Sequence, residues 1–322
     1  MRKHIRLVIS VVILAVLAWR TDWPQVQQTF ARLDLLPWLT AVSLYLLSQV
    51  VSGLRWQLLA QPLGFRQSLA RFTGIYFIGM YFNLLLPTAV GGDVVRAWYL
   101  NAGSGRRLHA FLTVFLDRFS GLLVLLALAC LAVLASPIPV PSWVTGCVVL
   151  TVSSAVVGLL SVPLLMRWMR HRKRVHRAGQ AMKLYFSRPR LLLATTGLSL
   201  IIQSINVIIV WLVGQALHAP VPASYYWIVV PMVTLLTMVP ISLNGMGVRE
   251  AGLIVFLAPL GVAESTALSL SFLWFAVYLT ASLCGGLVYV FGHFPRPEVP
   301  SDDGLVSDHS DQRRTRQSPA IA

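Results

Sequence analysis

The stretch NLLLPTAVGGDVVR at residues 83–96 has a close parallel in TMVPISLNGMGVRE at residues 237–250. In each copy an apolar run ends at a proline, two glycines follow, and an arginine with an acidic neighbour stands nine positions after the proline. The residues concerned are Asn83, Pro87, Gly91, Gly92, Asp93, Arg96, Pro240, Asn244, Gly245, Gly247, Arg249 and Glu250. Because proline lacks a backbone donor and glycine permits tight turns, each copy predicts a helix that breaks beside charged side chains.

The composition is typical of a membrane protein. Hydrophobic residues make up 57% of the 322 residues and charged residues only 11%, against about a quarter charged in soluble domains. The net charge of +15 would suggest a nucleic-acid partner in a soluble protein, but here the basic residues lie between apolar runs. Anionic lipid headgroups and membrane orientation explain that distribution better, so we expect no nucleic-acid partner.

Six apolar segments are predicted to cross the bilayer: residues 7–19, 35–59, 109–135, 143–166, 191–217 and 267–291. The first follows a basic start and is either a retained span or a signal peptide. Two further units are interrupted, at residues 72–86 before the first broken stretch and at residues 225–243 followed by 251–260. The predicted fold is an all-α polytopic membrane domain at residues 1–291, with about six transmembrane helices plus two re-entrant helical hairpins. Residues 292–322 are predicted to form a disordered cytoplasmic tail.

Loop charge predicts the topology. With a cytoplasmic N-terminus, and with each broken unit returning to the side it entered from, 22 of the 26 lysines and arginines are cytoplasmic, as the positive-inside rule expects. Both termini are then cytoplasmic. Three crossing segments separate the units, so the two hairpins enter from opposite faces and form an inverted repeat. The alternative is that both stretches are ordinary glycine-rich loops between helices.

Two charged residues, Asp117 and Arg118, lie near the centre of a predicted span. Charges at that depth are costly and are normally paired around a polar interior. We expect Asp117 to meet Arg96 or Arg249, and Arg118 to meet Asp93 or Glu250. An alternative is a purely structural ion-pair network.

A functional role for the paired motifs follows from the chemistry of guanidinium. Its planar fork of donors matches phosphate oxygens, so Arg96 and Arg249 are candidate anchors for a phosphate that crosses the bilayer. Free backbone N–H groups near the glycine pairs are expected to add anion-binding donors, and Asn83 and Asn244 to contact glycerol or sugar hydroxyls.

Three polar side chains elsewhere in the spans have ordinary membrane interpretations. Gln203 and Asn206 lie on one helix face, where interhelical hydrogen bonding is favoured over a cavity-lining role. Arg55 is close enough to the end of its segment to extend toward the headgroups.

Three stretches together carry a family resemblance: LLLPTAVGGDVVR at residues 84–96, LDRFSGLLVLL at 116–126 and VPISLNGMGVREAGLIVF at 239–256. In this order they resemble the flippase-like integral membrane family, over roughly residues 6–291. That family includes the transmembrane region of lysylphosphatidylglycerol synthases, the multiple-peptide-resistance proteins and hopanoid-associated relatives. The resemblance implies a bacterial or archaeal cytoplasmic-membrane protein that moves a lipid or lipid-linked molecule between leaflets. The aminoacyl-transfer domain of bifunctional members does not follow the membrane region here, so aminoacylation by this chain is not expected.

The sequence offers no recognisable catalytic constellation. It contains no HExxH, GxSxG, Walker loop or CxxC pattern, so we expect no enzymatic activity, no cofactor and no metal site. The expected partner is a membrane phospholipid or a polyprenyl-linked lipid, and the oligomeric state stays open. Two alternatives are a secondary transporter of a small anion and a non-transporting subunit that docks a lipid-modifying enzyme through the basic loop at residues 167–190.

Overall fold

The computed structural model describes residues 33–86, 90–102, 106–136, 140–168, 187–238 and 245–292, with the single residues 24, 27, 31, 179, 184, 185, 242 and 294. Within these ranges the chain is helical and contains no strand, which confirms the all-α prediction for this part. The predictions for the segment at 7–19, for the tail, and for Pro87, Pro240 and Asn244 lie outside the described residues.

The described elements are α1 (Leu35–Ala60), α2 (Leu69–Leu85), α3 (Gly91–Asn101), α4 (Arg107–Leu134), α5 (Ser142–Trp168), α6 (Pro189–Ala216), α7 (Ala223–Met238), α8 (Val248–Leu257) and α9 (Glu264–Phe291). Short 3₁₀ turns extend α1 and α8.

By length and composition, α4, α6, α9 and α1 with its 3₁₀ extension could each cross a membrane. They correspond to four of the six predicted spans, with ends that differ by a few residues. Shorter apolar helices are α2, α7 and the first part of α5, Ser142–Gly158. In the part of the chain that is described, the long apolar helices therefore match the hydropathy of the sequence.

The first broken stretch forms an antiparallel helical hairpin of α2 and α3. Near the turn, the Gly92 N–H donates to Asn83 Oδ1 at 2.8 Å. Farther along α3, the Arg96 guanidinium lies 3.8 Å from the ring centre of Tyr76, nearer the start of α2. Successive residues of α3 thus meet earlier residues of α2, and the predicted break beside charge is confirmed.

The second broken stretch forms a comparable hairpin of α7 and α8. Gly252 packs against Val233 and Leu236, and the Tyr225 hydroxyl donates to the carbonyl oxygen of Phe256 at 2.9 Å. The turn before α8 includes Gly245 (φ 75°) and Gly247 (φ 82°), a conformation in which side chains with a Cβ are strained. The glycines predicted to permit this turn therefore have a specific backbone role.

The two hairpins are held by the long helices. Helix α1 packs along α6 and also contacts α2, α4 and α9. The first hairpin contacts α4 through α3 and α9 through α2, while α7 packs on α4 and α8 on α9. Both hairpins therefore flank α4 and α9, and the space between them becomes the candidate site.

Candidate functional site

A cluster of charged side chains lies inside this apolar bundle. Its members are the arginines Arg55, Arg96, Arg118 and Arg249 and the carboxylates Asp93, Asp117 and Glu250. Buried charges are costly unless they are paired and hydrogen-bonded, and every member of the cluster has an ionic partner.

The centre of the cluster is Asp117 on α4, which is fully buried. Its carboxylate accepts from Arg55 Nε at 2.9 Å and from Arg96 Nη2 at 2.9 Å. Arg55 Nη1 also donates to Ser199 Oγ at 2.9 Å, so these contacts connect four helices. The predicted pairing of Asp117 with Arg96 is confirmed, whereas the expectation that Arg55 extends toward the headgroups is wrong, because Asp117 and Ser199 draw its side chain inward.

The sequence holds a signal for that inward direction. Ser48, Ser52 and Arg55 are spaced four and three residues apart, which places them on one face of a helix. All three are buried. A polar stripe at helical spacing in an otherwise apolar span therefore indicated that this face of α1 points into the bundle.

Arg96 on α3 is enclosed from several sides. Its guanidinium lies between the rings of Trp56 and Tyr76, at 4.3 and 3.8 Å from their centres, and it makes a longer contact of 3.4 Å with Asp93. Only 2% of its side chain is exposed. The paired charges and the cation–π contacts make Arg96 part of the packing between the first hairpin and α1.

Arg118, one residue after Asp117, points elsewhere and meets Asp93. The pair is bidentate, with Arg118 Nε at 2.9 Å from Oδ2 and Nη2 at 3.0 Å from Oδ1. This confirms the predicted partner and links α4 to the start of α3. The Arg118 side chain is 48% exposed, compared with 12% or less for the other three arginines of the cluster.

The second motif builds a separate pair, Arg249 with Glu250. Arg249 donates through Nη2 to Glu250 Oε1 at 2.7 Å and through Nε to Ser271 Oγ at 2.8 Å. Glu250 Oε2 accepts the Gly247 N–H at 2.6 Å and so caps the start of α8. The other partners considered from the sequence, Asp117 for Arg249 and Glu250 for Arg118, are therefore not the ones used.

The glycine-rich turns satisfy their own backbone donors. The N–H of Gly92 is taken by Asn83, and that of Gly247 by Glu250. The expectation that these N–H groups are free to bind an anion is wrong at both positions. In each motif a side-chain oxygen, from Asn83 or from Glu250, already accepts the hydrogen bond. Gly245 belongs to the second turn, where its φ of 75° is a conformation that glycine favours, and Gly91 is the first residue of α3.

A cavity of about 400 Å³ lies between the two hairpins and the long helices. Polar side chains on its wall include Gln49, Asn83, Arg118, Gln203, Arg249 and Tyr278. Gln203 donates to the Gly121 carbonyl oxygen at 3.0 Å, and Asn206 donates to Gln203 at 3.3 Å. Gln203 therefore bonds α6 to α4, whereas the Asn206 bond lies within α6, and both residues line the cavity.

The charged side chains of the cluster give this cavity a net positive charge. Among the described residues, the cluster holds four guanidinium groups and three carboxylates, which leaves one positive charge in excess. Such an excess in a low-dielectric interior attracts an anion strongly. Among the described residues, no group of three or more histidine, cysteine or acidic side chains is arranged to hold a metal ion.

Comparisons with known proteins agree with a membrane assignment. The model of a family described as the lysylphosphatidylglycerol synthase TM region matches residues 4–286. The UPF0104 membrane protein PH1989 of Pyrococcus horikoshii is 27% identical over 124 residues, which are 37% of this chain and 36% of that protein. The chain thus matches well under half of that relative's length. No solved structure matches this chain.

Proposed function

We propose that this chain, which belongs to the lysylphosphatidylglycerol synthase transmembrane-region family, moves an anionic lipid headgroup between the two leaflets of a membrane. The observation that supports this most directly is the polar cavity of about 400 Å³, with one excess positive charge, inside an apolar helix bundle. The apolar tails of a lipid are well solvated by the hydrocarbon core, so only its headgroup needs a polar route across the membrane.

The proposed architecture has six crossing helices and two re-entrant hairpins that enter from opposite faces. Helix α3 has 11 residues and α8 has 10. At 1.5 Å per residue, each is about half as long as the roughly 30 Å hydrocarbon core. A hairpin with such a short second helix suits a chain that turns back at mid-depth, where its turn meets the cavity. Loop charge supports cytoplasmic termini in a bacterial or archaeal cytoplasmic membrane.

A lipid fits the chain better than a soluble anion for a further reason. The family description names the synthase of lysylphosphatidylglycerol, which is a membrane lipid. The proposed substrate is therefore a phospholipid or a lipid-linked precursor whose phosphate meets arginine in the cavity. Guanidinium provides the planar donor fork that phosphate requires.

Neutralising Arg249 is expected to slow leaflet exchange of an anionic lipid at least about tenfold, because it removes the one positive charge by which the arginines of the cluster outnumber its carboxylates. Exchange is measured in proteoliposomes with fluorescent anionic, zwitterionic and polyprenyl-phosphate lipids. The variant is Arg249→Gln, and the matched control is Arg188→Gln, which changes an exposed arginine at the start of α6. The control is expected to exchange lipid at the wild-type rate.

A double variant separates charge from local packing. Arg249→Gln combined with Glu250→Gln restores the excess of one positive charge in the cluster, so we expect partial recovery of exchange. The proposal fails if folded wild-type protein exchanges no lipid faster than empty liposomes do, or if folded Arg249→Gln exchanges anionic lipid at the wild-type rate. Uptake of a soluble anion without lipid exchange would favour the small-anion transporter.

A further inference from the structure

We infer that Arg118 is the arginine that binds the headgroup phosphate, and that the cavity selects a headgroup with a single negative charge, a phosphodiester. This inference rests on the proposed function, because it specifies the ligand of the same cavity. It assigns different roles to arginines that the sequence presents as equivalent.

Two of the four arginines are committed to the fold. Arg55 and Arg96 share the carboxylate of Asp117, and their side chains are 6% and 2% exposed. Arg96 is also enclosed between Trp56 and Tyr76. Turning either guanidinium toward a ligand would leave the fully buried Asp117 carboxylate with a single cation, which is costly. A passing headgroup therefore gains little from them.

Arg118 differs from these two arginines in its exposure. All four arginines of the cluster line the cavity, but the Arg118 side chain is 48% exposed, against 12% or less for the other three. Asp93 occupies its Nε and Nη2. Because a guanidinium has five N–H donors, phosphate oxygens can bind on the cavity side while the Asp93 pair stays intact. Asp93 thus holds the fork in place for a ligand that approaches from the cavity.

The excess of one positive charge sets the preferred ligand charge. A phosphodiester carries one negative charge, so its binding brings the cluster to neutrality. A dianionic headgroup brings the cluster to a net charge of about −1, and a zwitterionic headgroup leaves its excess positive charge uncompensated. Uncompensated charge in a low-dielectric site is unfavourable in either case. We therefore expect exchange to be fastest for monoanionic lipids.

The test compares lipids of defined charge in proteoliposomes: phosphatidylcholine (neutral overall), phosphatidylglycerol (−1) and cardiolipin (−2). Removing the fork in Arg118→Gln is expected to slow phosphatidylglycerol exchange at least about tenfold. Arg118→Lys keeps the charge without the fork, so it is expected to keep the monoanion preference at a reduced rate.

The variant Asp93→Asn tests the inference through an expected increase in the preference for a doubly charged lipid. It raises the excess from one positive charge to two, so the ratio of cardiolipin to phosphatidylglycerol exchange is expected to rise about tenfold. The exposed Glu264→Gln at the start of α9 changes the net charge of the protein by the same amount away from the cavity. This control is expected to leave the ratio unchanged.

A second readout distinguishes a lipid from a soluble source of the same chemistry. Binding of glycerophosphoglycerol, a soluble phosphodiester, is measured by the shift in thermal unfolding temperature of each variant. Lipid exchange together with a shift that Arg118→Gln abolishes supports the inference. A shift that depends on Arg118, without any lipid exchange, supports the phosphodiester site but overturns the lipid proposal.

Two outcomes overturn the inference itself. One is folded Arg118→Gln with the wild-type exchange rate and the wild-type thermal shift. The other is folded Asp93→Asn with an unchanged charge preference while the wild type exchanges lipid normally, because the proposed function then stands and the charge count does not explain it.

Discussion

Replacing Asp117 with alanine is expected to lower the free energy of unfolding by about 3–5 kcal/mol, the range measured when one partner of a buried ion pair is removed. Asp117 is the carboxylate shared by Arg55 and Arg96, which are both almost fully enclosed. Alanine leaves two buried guanidinium groups with less charge compensation, and the carboxylate partner that Arg96 keeps is Asp93, at the longer distance of 3.4 Å. The measurement is unfolding by denaturant in detergent micelles, followed by tryptophan fluorescence.

The matched control for Asp117→Ala is Glu264→Ala, which removes an exposed carboxylate at the start of α9. A change within about 0.5 kcal/mol is expected there, as for most surface substitutions. Asp117→Ala that unfolds at the wild-type denaturant concentration would contradict the central position given to this residue. It would also remove the reason for assigning Arg55 and Arg96 to the fold.

The two predicted ion pairs illustrate what a sequence can provide in a membrane protein. Asp117 and Arg118 lie deep in an apolar run, and lipid offers such charges no partner. That constraint, together with the few charged residues in other apolar segments, narrowed the partners to Arg96 or Arg249 and to Asp93 or Glu250, and the structure selects Arg96 and Asp93. The helix ends at Leu85 and Met238, just before the two prolines, were predictable for a similarly simple reason.

The direction of the Arg55 side chain and the acceptors of the glycine N–H groups could not be predicted from the sequence. An arginine near the end of a span can extend to the interface or turn inward, and only the packing of α1 on its neighbours decides between them. At the turns, Asn83 and Glu250 carry acceptor oxygens that suit both a ligand contact and a helix cap. The backbone geometry of each hairpin brings the oxygen onto the nearby N–H, so the cap forms.

Gly92→Ala is expected to cost about 3 kcal/mol of unfolding free energy, the upper part of the range for overpacking, and to abolish leaflet exchange. A Cβ at this position would collide with the backbone oxygen of Gly79 and lie 2.6 Å from the amide carbon of Asn83. A backbone atom cannot rotate away as a side chain can, so α3 must shift along or away from α2.

That shift would act on the site as well as on stability, because Asp93 and Arg96 follow on the same helix. Moving α3 displaces Asp93 from Arg118 and Arg96 from Asp117, so exchange and stability should fall together. Gly197→Ala is the matched control: outside its own stretch of helix backbone, no atom lies within 4 Å of a Cβ built there, and alanine in an exposed helix stabilises by roughly 0.5–1 kcal/mol relative to glycine. Wild-type stability in Gly92→Ala would show that the two helices of the hairpin do not pack as closely as the structure places them.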